Sequence, residues 1–184
     1  MSKKYGLAIG KFAPFHIGHM YFLTECLKKC DELFIILSYD QRFVDKQDPK
    51  IQKDLSLKNR FTDLRDFVVC YLSKFNKPVY YDIVVESNIP EYPNECEPFI
   101  QLIKEKLNDF HPNIIFSSEE SYTDDYKKYL PECEHIIIDS KRSNFHISGT
   151  ELRHMMSMVY DLSKCIDNST SLEYFLEKYD DSAS

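Results

Sequence analysis

Short apolar runs alternate along this chain with stretches whose apolar residues have helical spacing. The runs at 5–9, 33–37, 78–86, 113–117 and 135–139 have the length and the β-branched or alternating character of strands. Parallel strands that alternate with helices form a sheet covered on both sides. The pattern therefore predicts a Rossmann-like, doubly wound α/β fold, with a parallel sheet of about five strands and helices on both faces.

The segments between these runs carry apolar residues every three or four positions, which is typical of helices. The predicted helices lie at Met20–Cys30, Phe61–Phe75, Phe99–Phe110 and Tyr122–Leu130. A further amphipathic helix, capped by Ser or Thr, is predicted at 169–179. At 184 residues the chain is long enough for a single domain with a substantial apolar core.

The segment Gly10–His19, with the sequence GKFAPFHIGH, lies where the first strand turns into the first helix. It brings two glycines, a lysine and two histidines to this junction. In open α/β sheets this is where ligands bind, because the N–H groups at the start of the helix point toward anions. The segment is therefore a candidate anion site.

A second candidate, Ile147–Arg153 (ISGTELR), follows the fifth strand. Ser148 and Glu151 have the spacing of a capping box, which would start a helix without any ligand. Gly149 costs about 1 kcal/mol relative to alanine in a helix, and Arg153 places a cation where the helix dipole disfavours it. Taken alone, the segment fits a bare helix cap and a phosphate site equally well. Together, the two segments predict two helix N-termini at one edge of the sheet.

Charge and composition exclude several other classes of protein. The net charge of −7 argues against a general nucleic-acid binder. No apolar run approaches the roughly 18 residues of a membrane helix, and Lys11 interrupts the first run too early for a signal peptide. We therefore expect a cytoplasmic protein with no membrane partner. The six cysteines form no CxxC pair and are expected to be reduced.

Residues 41–60 carry six basic and three acidic side chains, which inverts the overall charge locally. Two interpretations stay open, a solvated loop and a mobile basic flap over a polyphosphate. The histidines also allow an alternative: His16 and His19 lie three residues apart and could bind zinc with His146 as a third ligand. We expect no protein metal site, because no third ligand lies near the two histidines in the sequence.

The two segments resemble a known family. GKFAPFHIGH resembles the HxGH signature of the nucleotidyltransferase superfamily, and ISGTELR resembles its second signature, ISxTxxR. Residues 5–156 are similar to the adenylyltransferase domain of NadR-type proteins, which make NAD from nicotinamide mononucleotide (NMN) and ATP. The resemblance implies a nucleotidyltransferase domain at 1–160, with 161–184 as a C-terminal helical tail of the same domain. It also implies Mg²⁺ bound through the ATP phosphates.

The resemblance also implies roles for individual residues of this chain. The implied catalytic residues are His16, His19 and Arg153. The implied ATP contacts are Gly10, Lys11, Phe12, Gly18, Ser117, Ser118, Glu119, Ser148 and Thr150. The implied acceptor contacts are Tyr92, Asn94, Phe99 and Arg60.

One departure from the family pattern concerns the acceptor. NadR-type chains continue their acceptor loop as PNGW, whereas this chain has Pro93-Asn94-Glu95-Cys96 and contains no tryptophan. The first hypothesis is transfer of AMP to NMN. The second is a sister transferase that uses phosphopantetheine, flavin mononucleotide, or a sugar or polyol phosphate. The third is a nucleotide-binding sensor without catalysis. The partners implied are ATP and a phosphorylated small molecule, with a homo-oligomer as an open arrangement.

Overall fold

The computed structural model of the protein describes residues 3–91 and 95–167, with side chains up to Asp161. These residues form five strands, which are β1 (Tyr5–Gly10), β2 (Glu32–Tyr39), β3 (Val79–Val85), β4 (Ile114–Ser117) and β5 (Glu134–Ile137). They also form six α-helices, which are α1 (Ile17–Lys29), α2 (Gln41–Asp45), α3 (Leu57–Cys70), α4 (Cys96–Leu107), α5 (Thr123–Tyr129) and α6 (Gly149–Asp167). Short 3-10 turns cover Leu72–Phe75 and Glu120–Tyr122. The helix predicted at 169–179 lies outside the described residues.

The sheet confirms the predicted fold class. All four strand pairs are parallel, and the strand order is β3-β2-β1-β4-β5. From β1 the chain adds β2 and β3 on one side of the sheet, and it then crosses over to add β4 and β5 on the other side of β1. In such sheets a crevice opens at the carboxyl ends of the strands where the order reverses, which here is between β1 and β4.

The core consists of two apolar layers, one on each face of the sheet. Successive residues of a strand point to opposite faces, so Ala8 belongs to the layer under α1 and α3 and Leu7 belongs to the layer under α4. Ile35 and Ile36 divide in the same way, and all four side chains are fully buried. This two-sided burial explains why the strands appear in the sequence as continuous apolar runs.

Two of the predicted helices end earlier than their apolar spacing suggests. The helix predicted to reach Phe75 ends at Cys70, and a 3-10 turn closed by Asn76 in the left-handed region (φ 53°) follows it. Leu72 stays fully buried in that turn, so the apolar spacing continues although the helix does not. Likewise α4 ends before Phe110, because Asn108 has a φ of 47° and turns the chain back toward the sheet.

The basic segment 41–60 is folded against the body of the protein. Val44, Ile51 and Leu55 are buried in the same apolar layer as α1, so the interpretation as a solvated loop is wrong. Lys46 pairs with Glu91 at 3.1 Å, and Lys50 pairs with Asp161. The basic flap stays a prediction.

No described helix is long and apolar enough to cross a membrane. Five of the six cysteines have described side chains, and these carry free thiols: Cys26, Cys30, Cys70, Cys96 and Cys133.

Candidate active site

The loop after β1 is shaped by one aromatic residue. Phe12 has a φ of 48°, in the left-handed region, and its side chain is buried. A Cβ atom at Gly10 would lie 2.7 Å from the Phe12 ring, so a larger residue at this position would displace that buried ring. The Phe12 ring also packs against His19 in a T-shaped arrangement, with 5.1 Å between the ring centroids. Phe12 therefore supports the ring of His19 from within the loop.

His16 begins α1 as its N-cap residue. Its Nδ1 accepts a hydrogen bond of 3.1 Å from the backbone N–H of Gly18, which assigns the imidazole proton to Nε2. The ring stacks on His19, with 3.7 Å between the ring centroids. A Cβ at Gly18 would lie 2.9 Å from the His16 ring, so this glycine lets the capping histidine fold over the helix start. One N–H of His16 is thereby directed away from the cap.

Both histidines are held in the neutral form. Burial, together with the charge of Arg142, lowers the pKa of His16 to about 4. Burial lowers the pKa of His19 to about 3, with smaller contributions from His16 and Arg142. The Nδ1 atom of His19 is buried and has no hydrogen-bond partner among the described residues. Near neutral pH the pair can donate hydrogen bonds to an anion but brings no charge of its own.

The second segment starts α6 with the predicted capping box. The backbone N–H of Ser148 donates to the Glu151 carboxylate at 2.8 Å, and the N–H of Glu151 donates to the Ser148 hydroxyl at 3.1 Å. Both bonds leave the N–H groups of the intervening residues, Gly149 and Thr150, uninvolved in the box. The start of α6 is therefore a capped helix whose first N–H groups remain available to a ligand.

The two segments are in direct contact. Nη1 of Arg153 donates a hydrogen bond of 2.7 Å to the carbonyl oxygen of Ala13, and Nη2 donates one of 3.0 Å to the Thr150 hydroxyl. A Cβ at Gly149 would lie 3.1 Å from the same carbonyl oxygen and 3.1 Å from the guanidinium. Gly149 thus makes room for the loop after β1, a reason that the sequence pattern alone could not provide.

A cleft of about 340 Å³ opens between these two helix starts, at the carboxyl ends of β1 and β4. It brings together nine of the predicted site residues, namely Gly10, Lys11, Phe12, His16, Gly18, His19, Ser118, Glu119 and Ser148. Such a cleft, lined by two helix starts, is suited to an extended anion.

Four predicted site residues lie near the cleft but do not line it. Ser117 is buried beneath it at the end of β4. Thr150 is exposed, and Arg153 lies over the Phe43 ring at 5.1 Å. Arg60 is fully buried, donates from Nη1 to the carbonyl oxygen of Lys11 at 3.0 Å, and lies over the Tyr39 ring at 4.7 Å.

Of the remaining acceptor candidates, the structure describes only Phe99. Phe99 packs with the apolar layer under α4, among residues such as Ile103, and does not line the cleft. Tyr92 and Asn94 lie outside the described residues, so their roles stay predictions.

The structure adds one residue that sequence reasoning missed. Arg142 lines the cleft, and its Nη2 lies 3.7 Å from Oε1 of Glu119. Asp139 shapes the turn that presents it, since its carboxylate accepts from the N–H groups of Ser143 at 2.8 Å and Asn144 at 3.1 Å. A hydrogen bond of 2.6 Å from the Ser143 hydroxyl, together with these two bonds, lowers the pKa of Asp139 to about 2. Asp, Ser and Asn are common turn residues, and they are the only signal of this turn in the sequence.

The described residues include no group of three or more His, Cys, Asp or Glu side chains placed to hold a metal ion. The zinc alternative for His16 and His19 therefore finds no third ligand in the described part of the chain. A divalent ion at this cleft would bind mainly through the ligand's own oxygens.

The sheet order and the position of the cleft place the chain among parallel α/β proteins, the class in which ligands bind at the carboxyl ends of the strands. The chain belongs to the cytidylyltransferase-like family, whose model matches residues 7–155. This match confirms the resemblance to nucleotidyltransferases and makes the chain a member of a transferase family.

Among curated proteins, the chain is similar to the trifunctional NAD biosynthesis/regulator protein NadR of Escherichia coli K12, with 28% identity over 156 residues. The match covers 82% of this chain but only 36% of NadR, so the chain spans about a third of that relative. A shorter similarity, 39% identity over 51 residues, relates 28% of the chain to 37% of the FAD synthase of Methanosarcina barkeri.

Two solved structures share the fold. A NadR protein in complex with NR superposes with a TM-score of 0.62 at 23% identity, and covers 83% of this chain and 41% of that one. A bifunctional NMN adenylyltransferase/ADP ribose pyrophosphatase from Francisella tularensis superposes with a TM-score of 0.63 at 16% identity, and covers 84% and 42% of the two chains.

Proposed function

We propose that this chain transfers AMP from ATP to nicotinamide mononucleotide. An oxygen of the acceptor phosphate attacks the α-phosphorus of ATP, the bond from that phosphorus to the β-phosphate oxygen breaks, and pyrophosphate leaves. A phosphate monoester has a second pKa of about 6 and is already an anionic nucleophile at neutral pH, so no general base is needed. The protein's task is to position the reactants and to stabilise negative charge.

The observation that carries this proposal is the contact between the two helix starts around one cleft. We assign the β and γ phosphates of ATP to the space between His16 and the N-terminus of α6, which Ser148 and Gly149 line. The Nε2–H of His16 would donate to an oxygen of the departing pyrophosphate. Arg142 would supply a positive charge that the neutral histidines lack. The adenosine would lie toward Ser118 and Glu119, as the resemblance implies.

Arg153 has a different task in this proposal. Its guanidinium is already committed to the Ala13 carbonyl and the Thr150 hydroxyl. It would hold the two phosphate-binding segments together and place its charge near the triphosphate. Lys11, whose ammonium lies 5.0 Å from the centre of the Phe43 ring, would add a second cation at the edge of the cleft.

The acceptor phosphate is assigned to Arg60. Its Nε and Nη2 atoms are buried and have no hydrogen-bond partner among the described residues. A buried guanidinium with two free donors is costly unless it binds an anion at some stage. Because Arg60 bonds to the carbonyl of Lys11, it lies directly beneath the loop that would hold the triphosphate. The acceptor would then approach from the β2 side of β1.

Mg²⁺ is proposed to enter with the triphosphate. The described side chains supply no cage of three acidic or histidine ligands, which fits an ion held by phosphate oxygens and water. When bound, the ion would neutralise charge on the departing pyrophosphate.

A second candidate acceptor is flavin mononucleotide. The similarity to FAD synthase over 51 residues supports it, and so does the absence of tryptophan. Both candidates share AMP transfer to a phosphate monoester, so they differ only in what binds beyond the phosphate.

A panel of acceptors tests both candidates. Purified protein, ATP and Mg²⁺ are incubated with NMN, nicotinate mononucleotide, flavin mononucleotide or phosphopantetheine, and pyrophosphate release and the dinucleotide product are measured. We expect release with NMN and formation of NAD. Release with another acceptor alone would replace NMN by that acceptor, and release with none would contradict the proposed activity.

The variant Arg60→Met tests the acceptor assignment. Methionine fills a similar volume without a buried charge, so we expect the free energy of unfolding to be kept or raised. The KM for the acceptor should rise about tenfold or more while the KM for ATP changes little, since a charge-assisted bond to phosphate is lost. Equal changes in both KM values would contradict a role specific to the acceptor.

A further inference from the structure

A chain of hydrogen bonds runs beneath the nucleotide side of the cleft, from α5 through β5 to β4. The ring of His135 lies between two hydroxyl groups, with Nε2 at 2.7 Å from the Ser117 oxygen and Nδ1 at 3.1 Å from the Thr123 oxygen. The Ser117 hydroxyl in turn donates to the carbonyl oxygen of Glu119 at 2.9 Å and accepts from the N–H of Glu119 at 3.3 Å.

The direction of these bonds follows from counting donors. The single Ser117 hydroxyl proton goes to the Glu119 carbonyl, so the contact with His135 requires the imidazole to donate from Nε2. Nδ1 is then unprotonated and accepts the Thr123 hydroxyl proton. Burial and the charge of Lys127 lower the pKa of His135, which favours this neutral ring. All of these hydrogen bonds form together only if each group donates to the next, from Thr123 to His135, from His135 to Ser117, and from Ser117 to Glu119.

The end of this chain is a residue of the cleft. Ser117 holds both the N–H and the carbonyl of Glu119, so the backbone after β4 has one defined position. Ser118 and Glu119 line the cleft, and the Glu119 carboxylate faces Arg142 at 3.7 Å. The Tyr126 and His135 rings pack in a T-shaped arrangement with 5.1 Å between their centroids, which restricts movement of the imidazole. A shift of His135 would therefore change the wall of the cleft without any contact to a ligand.

We propose that His135 is a positioning residue for the nucleoside triphosphate: through Ser117 it fixes the Ser118–Glu119 wall of the cleft. This inference rests on the proposed function only in taking ATP as the ligand, and it makes no claim about the acceptor. Its role is to fix binding geometry, so it acts on ATP affinity more than on the chemical step.

The test compares His135→Leu with His135→Gln in the full chain. Leucine removes both ring nitrogens, whereas glutamine keeps an N–H donor directed toward Ser117. We expect His135→Leu to weaken binding of ATP with Mg²⁺, measured by calorimetry, about tenfold, and to raise the KM for ATP by the same factor. His135→Gln should restore the affinity to within about threefold of the wild type. The kcat of both variants should stay within about threefold of the wild type, which a general loss of folded protein would not allow.

Two further variants keep the test decisive if leucine at position 135 prevents folding. Thr123→Val removes the hydroxyl that anchors Nδ1 at nearly constant volume, and should weaken ATP binding by about threefold or more. His111→Leu, an exposed histidine at the opposite edge of the sheet, is the matched control and should leave ATP affinity unchanged.

The inference is overturned if both His135→Leu and Thr123→Val bind ATP as tightly as the wild type does. If His135→Leu does not fold, wild-type ATP affinity in Thr123→Val alone overturns it. It is also overturned if His135→Gln binds no better than His135→Leu. Failure of the proposed function appears differently, as a wild-type protein that binds no ATP or releases no pyrophosphate with any acceptor.

Discussion

Nη1 of Arg153 donates a hydrogen bond of 2.7 Å to the carbonyl oxygen of Ala13, across 140 residues of sequence. This bond joins the start of α6 to the loop after β1, and so joins the two segments that the sequence marks as anion sites. Arg153 is thereby oriented before any ligand arrives. Preorganised donors need no rearrangement when charge develops during a reaction, which is how such sites lower a barrier.

Removing this link should cost both stability and activity. In Arg153→Met we expect the free energy of unfolding, measured with urea, to fall by about 2 kcal/mol, because a charged donor to a carbonyl is lost. The kcat/KM for pyrophosphate release should fall by about tenfold or more, because the two helix starts lose their alignment. The matched control is Arg65→Met, since Arg65 is half-exposed and pairs with its neighbour Asp66. Equal effects of the two variants would contradict the role of the link.

The N–H of His16 can be removed while its helix cap is kept. In His16→Asn the side-chain oxygen can accept from the Gly18 N–H as Nδ1 does, since asparagine is a favoured N-cap residue. We therefore expect the stability to change by no more than about 0.5 kcal/mol. The kcat should fall about 100-fold, by analogy with other donors to a developing negative charge.

Two comparisons make this variant informative. His16→Ala removes both the cap and the donor. Its kcat should fall as far as that of His16→Asn, and its free energy of unfolding should also fall by about 1 kcal/mol. ATP binding measured by calorimetry should persist in His16→Asn, which separates a catalytic defect from a binding defect. A loss of kcat smaller than about threefold would show that the role given to His16 is wrong.

Arg142 should control both ATP binding and the histidines. In Arg142→Met we expect the KM for ATP to rise about tenfold, because a cation facing the cleft is lost. The pKa values of His16 and His19, followed by NMR, should rise, because the positive charge that opposes their protonation is removed. Lys141→Met is the matched control, since Lys141 is the adjacent exposed cation and does not line the cleft. Unchanged histidine titration in Arg142→Met would contradict the arrangement of the cleft.

The buried histidines should make the fold sensitive to acid. In the folded protein the pKa of His16 is about 4 and that of His19 is about 3, below the value of about 6.5 in an unfolded chain. Between these values the unfolded chain binds more protons, so stability falls as the pH drops below about 6.5. Each histidine contributes a slope of up to about 1.4 kcal/mol per pH unit in that window.

Urea unfolding at about pH 7 and about pH 5 measures this dependence. His16→Asn should reduce the loss of stability between the two conditions, because one of the two titrating groups is gone. A wild-type protein equally stable under both conditions would contradict the burial of the neutral pair.

The strands of the sheet could be predicted from the sequence because a buried parallel strand has a local pattern of residues. The runs around Ile35 and Ile115 are continuous and apolar, since both of their faces are covered. The helix after Leu57 was predicted too long because Leu72 and Phe75 keep the apolar spacing of a helix in a 3-10 turn. The spacing of apolar residues indicates which side chains are buried. It does not indicate where an α-helix gives way to a 3-10 turn.

Only part of the cleft could be predicted from the sequence, for a related reason. Helix starts and capping residues such as Ser148 can be found locally, whereas Arg142 is indistinguishable in sequence from a surface arginine in a polar turn. Its importance depends on Glu119 and the histidines, which only the fold brings near it. The buried state of Arg60 was hidden in the same way, because the charged segment 41–60 suggested exposure to solvent.

The most direct test of the clamp between the two helix starts is a crystal structure of the protein with a non-hydrolysable ATP analogue and Mg²⁺. We expect the β and γ phosphate oxygens within hydrogen-bond distance of His16 Nε2 and the backbone N–H of Gly149, with Arg142 facing them. A triphosphate bound elsewhere, or one that touches only one of the two helix starts, would contradict the account.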